Sequence, residues 1–139
     1  MKISARNQIK GTVKNVAEGA VNAVVTIACG NADIKANITM AAVEDLDLTE
    51  GKECYAVIKA TNVMFATEKI AGISARNQIE GTIVKVAEGA VNGHIAIETA
   101  EGVVISGSIT NTAIEELGFV EGGKAVAIIK STDVLVAVD

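Results

Sequence analysis

Short alternations of apolar and polar residues run the length of this 139-residue chain. The first spans Ile9 to Val16 and stops at Glu18-Gly19. In the next, Val21, Ala23, Val25 and Ile27 alternate with Asn22, Val24, Thr26 and Ala28; after the turn Gly30-Asn31-Ala32, Ile34, Ala36 and Ile38 alternate with Lys35, Asn37 and Thr39. Two more runs follow, Cys54 to Ala60 and Val63 to Ala66. A period of two in β-branched segments, bounded by Gly, Asn and Asp, predicts strands. The one helical stretch of this half is Ala41 to Leu46, and Ala113 to Leu117 is its counterpart in the other half. Thr112-x-x-Glu115 reads as a capping box for the latter, and Gly118 as its stop.

The pattern is written twice. Residues 3–22, ISARNQIKGTVKNVAEGAVN, match residues 73–92, ISARNQIEGTIVKVAEGAVN, at sixteen of twenty positions. One extra residue near position 101 shifts the later offset to 71, so that Ile38-Thr39 meets Ile109-Thr110 and Ile58-Lys59-Ala60-Thr61 meets Ile129-Lys130-Ser131-Thr132. Three strands, a short helix and two strands is the order of a five-stranded oligonucleotide/oligosaccharide-type barrel. The expected fold class is therefore all-β: two tandem OB-like five-stranded β-barrels, residues 1–68 and 72–139, joined through TEKIAG at 67–72. So short a connection leaves the barrels little freedom. Each unit of about 70 residues buries a modest core, so pairing of the copies and oligomerisation are both expected.

Composition narrows the function. Half the residues are hydrophobic, chiefly Ala, Val and Ile, and the aromatics are Tyr55, Phe65 and Phe119 alone, none matched in the other copy. A barrel that binds single-stranded nucleic acid needs stacking aromatics and a basic groove, and a net charge of −5 argues against both that and duplex DNA. The imbalance lies in the second half: residues 1–70 carry eight basic and eight acidic side chains, residues 71–139 four and nine. No apolar run is long enough to span a membrane, and MKISARNQIKG has no apolar signal core, so a cytoplasmic location is expected. Cys29 and Cys54 lack CxxC spacing and read as buried thiols.

Enzymatic chemistry finds no repeated support. His94, the single histidine, faces Val24 in the first copy, and Cys29 and Cys54 face Thr99 and Ala125, so no general base or thiolate site occurs twice. The chain reads as a non-enzyme. Two polar clusters do repeat: Ser4 to Ile9 with Ser74 to Ile79, and Lys59-Ala60-Thr61 with Lys130-Ser131-Thr132. Two readings stand side by side. In one, Asn7 and Gln8 satisfy backbone groups at a barrel rim, Arg6 covers a partner's surface and the Lys is a snorkelling surface residue. In the other, Ser, Arg, Thr and Lys converge on a pocket that only donates hydrogen bonds, which suits a small oxyanion.

The SARNQI-x-G-x-[VI] opening, the Ile-Thr before the short helix, the Glu-Gly turn and the [VI]-I-K-[AS]-T-[ND]-V ending closely resemble the molbindins, molybdate-binding proteins built from the Mop (TOBE) barrel domain. The resemblance covers both copies. It implies an oxyanion site of Ser4, Arg6, Thr39, Lys59 and Ala60 in the first copy and of Ser74, Arg76, Thr110, Lys130 and Ser131 in the second. Ala60 offers only its backbone N–H, so unequal affinities are implied. Further sites near a three-fold axis would fall on the GAVN segments, Gly19, Ala20, Val21, Asn22 and Gly89, Ala90, Val91, Asn92, for which a plain turn is the competing reading.

The resemblance also implies molybdate as ligand with tungstate as a substitute, no organic cofactor, no direct protein–metal ligand, and a homotrimer of tandem domains with sites between domains. The expected function is cytoplasmic molybdate binding, storage and homeostasis. The alternative is an oxyanion-sensing module that acts through a protein partner.

Overall fold

A computed structural model describes all 139 residues. The first repeat forms β1 (Asn7–Glu18), β2 (Asn22–Cys29), β3 (Ala32–Thr39), α1 (Met40–Asp45), β4 (Glu53–Ile58), a 3-10 turn at Ala60–Asn62 and β5 (Met64–Ala66). The second forms β6 (Asn77–Glu88), β7 (Asn92–Glu98), β8 (Val104–Thr110), α2 (Asn111–Glu116), β9 (Lys124–Ile129), a 3-10 turn at Ser131–Asp133 and β10 (Leu135–Ala137). The all-β class and the element order are those the alternation predicts. The extra residue of the second repeat falls at the β7–β8 hairpin tip, so the core pairs Ile27↔Ile34 and Ile97↔Ile105 keep the same register.

β1 serves two neighbours. Its first half pairs with β4, Asn7↔Ile58 through Thr12↔Glu53, and its second half with β2. Register shifts between Val13 and Asn15, and in β6 between Ile83 and Lys85, mark the bulge at which each long strand bends. Gly11 sits just before the first bend, where a Cβ would lie 2.5 Å from the Ala28 carbonyl oxygen and 2.8 Å from Cys29 Sγ. Only glycine lets the strands close this tightly.

The helix starts differ from expectation. No capping box forms at Thr112, because β8 runs straight into α2 with no loop between them. Thr110 still has extended backbone, and its hydroxyl accepts from Ala113 N–H at 3.1 Å, as Thr39 accepts from Ala42 N–H at 3.1 Å for α1. Gly118 does end α2, with φ of 68°, and Asp47 takes the matching left-handed position after α1.

The sheet order holds a feature the repeat does not announce. One sheet runs β10-β4-β1-β2-β3 and the other β5-β9-β6-β7-β8. The last strand of each repeat therefore completes the sheet of the other, with Phe65↔Ala127 and Val136↔Ala56 as central pairs. The 3-10 turns make the exchange: Asn62 N–H bonds the Lys59 carbonyl at 3.0 Å and Asp133 N–H the Lys130 carbonyl at 2.9 Å, which swings each chain off its own sheet. Phe65, carried across on β5, meets Phe119 edge to face with centroids 6.3 Å apart. One cluster of 27 buried apolar residues runs through both repeats, so the two barrels share a core. The connection is pinned as well, since the Gln78 amide accepts from Ile70 N–H and donates to the Ile70 carbonyl, both at 2.7 Å.

Candidate oxyanion-binding site

Asn7↔Ile58 is the last rung of the β1–β4 ladder, so Arg6 and Lys59 leave the sheet side by side just beyond it. Asn77↔Ile129 likewise sets Arg76 beside Lys130. Ser4, Arg6, Lys59, Ser74, Arg76 and Lys130 are all exposed, while Ala60 is buried at the head of its 3-10 turn and Ser131 is half-buried at the head of the other. Buried Ala5 anchors the first arm, and Arg6 Nε donates to the Ser4 carbonyl at 3.0 Å, folding the arm on itself. Each sheet end thus presents an arginine fork and a lysine to solvent beside a 3-10 turn, headed by half-buried Ser131 in the second repeat and by buried Ala60 in the first. The arginine and lysine donors suit a dianion, and the second arm also carries an acidic residue, Asp133, in its 3-10 turn.

Thr39 and Thr110 are not gathered with the residues of their own repeat. The turn at Ala60–Asn62 packs on β8 and the turn at Ser131–Asp133 on β3, so Thr110 lies on the strand that receives the arm of the first repeat and Thr39 on the strand that receives the arm of the second. The anchor on β8 is Ser106, four residues before Thr110, which is about 13 Å along a strand. Both threonines are exposed at helix starts with the hydroxyl hydrogen still free to donate. Within one chain the ten residues therefore stand in separate groups, all exposed but Ala60 and Ser131. Two surface clefts, of about 670 and 400 Å³, are lined by other residues, among them Lys69, Glu80, Thr82 and Lys124 in the first and Lys10, Lys52 and Tyr55 in the second.

The GAVN segments are tight tips between paired strands. Gly19 N–H bonds the Asn22 carbonyl at 2.9 Å, and a Cβ on Gly19 would lie 2.6 Å from that same oxygen. The carbonyls of Val21 and Val91 accept from the first residues of the helices, Met40 and Asn111, at 2.7 and 2.9 Å. Turn geometry accounts for the glycines, while Val21 and Val91 stand 71% exposed.

The sequence motif contains a residue whose role the pattern left open. Asn7 and Asn77 are only 2% and 1% exposed. Asn7 Nδ2 donates to the Ser106 carbonyl at 2.8 Å and to the Ile58 carbonyl at 3.1 Å, and its Oδ1 accepts from Ser106 N–H at 2.8 Å. Asn77 does the same to Lys35, accepting from its N–H at 2.7 Å and donating to its carbonyl at 2.9 Å. Asn7 thus satisfies backbone groups, as the rim reading has it, and these belong to both repeats: Ile58 of its own and Ser106 of the other. Cys29 and Cys54 are buried free thiols. Burial pushes Cys29 up to about 12, helped by nearby Cys54 and Asp33, and burial raises Cys54 too, so both stay protonated at neutral pH.

The sequence matches the TOBE domain family over residues 3–65 and again over residues 73–136. The chain belongs to the TOBE family. Both copies of the domain lie in the tandem arrangement that the molbindin resemblance implied. Over 139 residues the chain is 37% identical to the molybdenum transport protein ModE of Azotobacter vinelandii, a match that takes in 99% of this chain and 52% of that protein. A probable molybdenum-pterin-binding protein of Haemophilus influenzae is 51% identical over 69 residues, all of its length and 49% of this chain. The chain spans about half the length of the first of these relatives. Among solved structures, the cytoplasmic molybdate-binding protein ModG, crystallised with molybdate bound, superposes with a TM-score of 0.95 at 41% identity over 100% of both chains.

Proposed function

We propose that this chain binds molybdate without catalysis and serves as a store that buffers the anion in the cytoplasm. One observation carries the reading: a whole-length match to a cytoplasmic molybdate-binding protein coincides with the exposed Arg–Lys donor groups kept in both repeats. Ser4, Arg6, Lys59 and Ala60 with Ser74, Arg76, Lys130 and Ser131 supply the donors, joined by Thr39 and Thr110. Because one chain leaves these groups open and apart, a closed cage requires domains of neighbouring chains, and a homotrimer of tandem barrels meets that need. The exposed Val21 and Val91 tips are the candidate second sites near its axis.

The chemistry selects the ligand class. Molybdate offers only acceptors at neutral pH and can use every donor of the cage, whereas protonated phosphate brings a hydroxyl that must turn one Ser or Thr hydroxyl into an acceptor and lose it as a donor. Tungstate, of nearly equal size and charge, substitutes for it; sulfate is separated by radius alone. Equilibrium dialysis against molybdate, with metal counted per chain and the assembly mass measured by light scattering, tests this. Several anions per chain in a trimer support storage, and an empty protein rejects it.

A second reading, an oxyanion-sensing module acting through a protein partner, is favoured by the matched relative in which this pair of domains makes up about half of a longer protein. A partner recovered only in the presence of molybdate would select it.

A further inference from the structure

Arg6 and Lys59 come from one repeat, yet the strand beside them comes from the other, and one amide joins the two. Asn7 stands immediately after Arg6, on the rung whose partner Ile58 immediately precedes Lys59, and spends both ends of its amide on Ser106 of β8. Asn77 stands in the same way after Arg76 and holds Lys35 of β3. Each amide gives an edge strand the pair of hydrogen bonds that a neighbouring strand would give. No other side-chain group presents one donor and one acceptor at this spacing from so short a stem: a carboxylate would face a carbonyl with no donor, and Ala would leave a buried N–H and C=O unpaired.

We infer that Asn7 and Asn77 are positioning residues for oxyanion binding, each fixing the arginine and lysine of one repeat against the edge strand of the other. The inference rests on the molybdate-binding reading. It makes each site depend on both repeats, and it assigns each asparagine to one class of site.

The test is calorimetric titration of the full chain with sodium molybdate, comparing the parent protein with Asn7→Ala, Asn77→Ala and Asn77→Asp. Ile27→Val, a core change away from both arms, serves as a stability-matched control. Each folded asparagine variant is expected to weaken one class of site at least tenfold and leave the other within twofold. The weakened class should be the one lost on Arg6→Ala for Asn7, and on Arg76→Ala for Asn77. A lowered melting temperature with both classes within twofold of the parent would overturn the inference, as would a failure of all three variants to fold. If the parent protein takes up no molybdate, the binding reading fails, and the positioning claim is judged on the free chain by NMR order parameters. Increased mobility of Arg76 and Lys130 in Asn77→Asp, with Ile95 and Ile97 unchanged, supports it; unchanged arms contradict it.

Discussion

Asn77 Oδ1 accepts from the backbone N–H of Lys35 at 2.7 Å while its Nδ2 donates to the Lys35 carbonyl at 2.9 Å, so a side chain of the second repeat closes the sheet edge of the first. Asn7 and Ser106 return the contact. With the exchanged strands β5 and β10, these amides make the two repeats one folding unit, although the sequence writes them as two.

It follows that half the chain is incomplete. A fragment of residues 1–68 lacks β10, which caps β4, and carries β5 with no β9 to receive it. Alone it should associate with itself or stay unfolded, and mixed with residues 69–139 it should regain the circular dichroism of the intact protein. A monomeric, cooperatively folded 1–68 fragment, seen by analytical ultracentrifugation, would contradict the exchange.

Phe65 is the anchor of that exchange. It is 8% exposed, crosses to the second repeat on β5 and stacks edge-on against Phe119. Phe65→Ala should cost about 3–5 kcal/mol in chemical denaturation. From the other side, a Cβ on Gly107 would lie 2.3 Å from the Phe65 ring, so Gly107→Ala should cost about 1–3 kcal/mol by overpacking.

The helix-capping threonines carry two roles that substitution separates. Thr39→Ala and Thr110→Ala each remove a cap bond and should lower stability by about 1 kcal/mol. Serine at either position keeps the hydroxyl and should restore most of that loss and the anion affinity together. Affinity that stays at the parent value in both alanine variants would remove the threonines from the site.

Alkaline stability reports on the buried thiols. Cys29 titrates near 9 when unfolded and about 12 when folded, so between these values the unfolded state binds fewer protons and stability falls as pH rises. Below pH 9 the thiol is protonated in both states and contributes no slope. Cys29→Ala should flatten the decline of melting temperature between pH 9 and 11, and an unchanged slope would mean the thiol is not held protonated.

The repeat, the order of elements along the chain and the helix positions were legible because alternation and turn residues are local signals. Gly118 and the strand-to-helix junction at Thr110 differ in this respect: a glycine stop is visible in sequence, whereas a strand passing straight into a helix moves the cap two residues from the Thr112 box. The exchange of β5 and β10 was hidden, since a three-residue strand pairs equally well in pattern with its own repeat or the other. Lys59 and Lys130 illustrate the limit for the site. Their repetition marks them as candidates, but only the ladder Asn7↔Ile58 places Lys59 beside Arg6. Thr39 was grouped by repeat, while the fold puts it on the strand that receives the arm of the second copy.

The central claim is that exposed arginine and lysine donors at both sheet ends capture molybdate. Titration calorimetry of the parent protein and of the Arg6→Ala, Arg76→Ala double variant tests it most directly. Loss of a charge-assisted contact in each site should weaken molybdate binding by about tenfold or more, with tungstate still competing in the parent protein. Equal affinity in the two proteins, or no heat from either, would contradict the account.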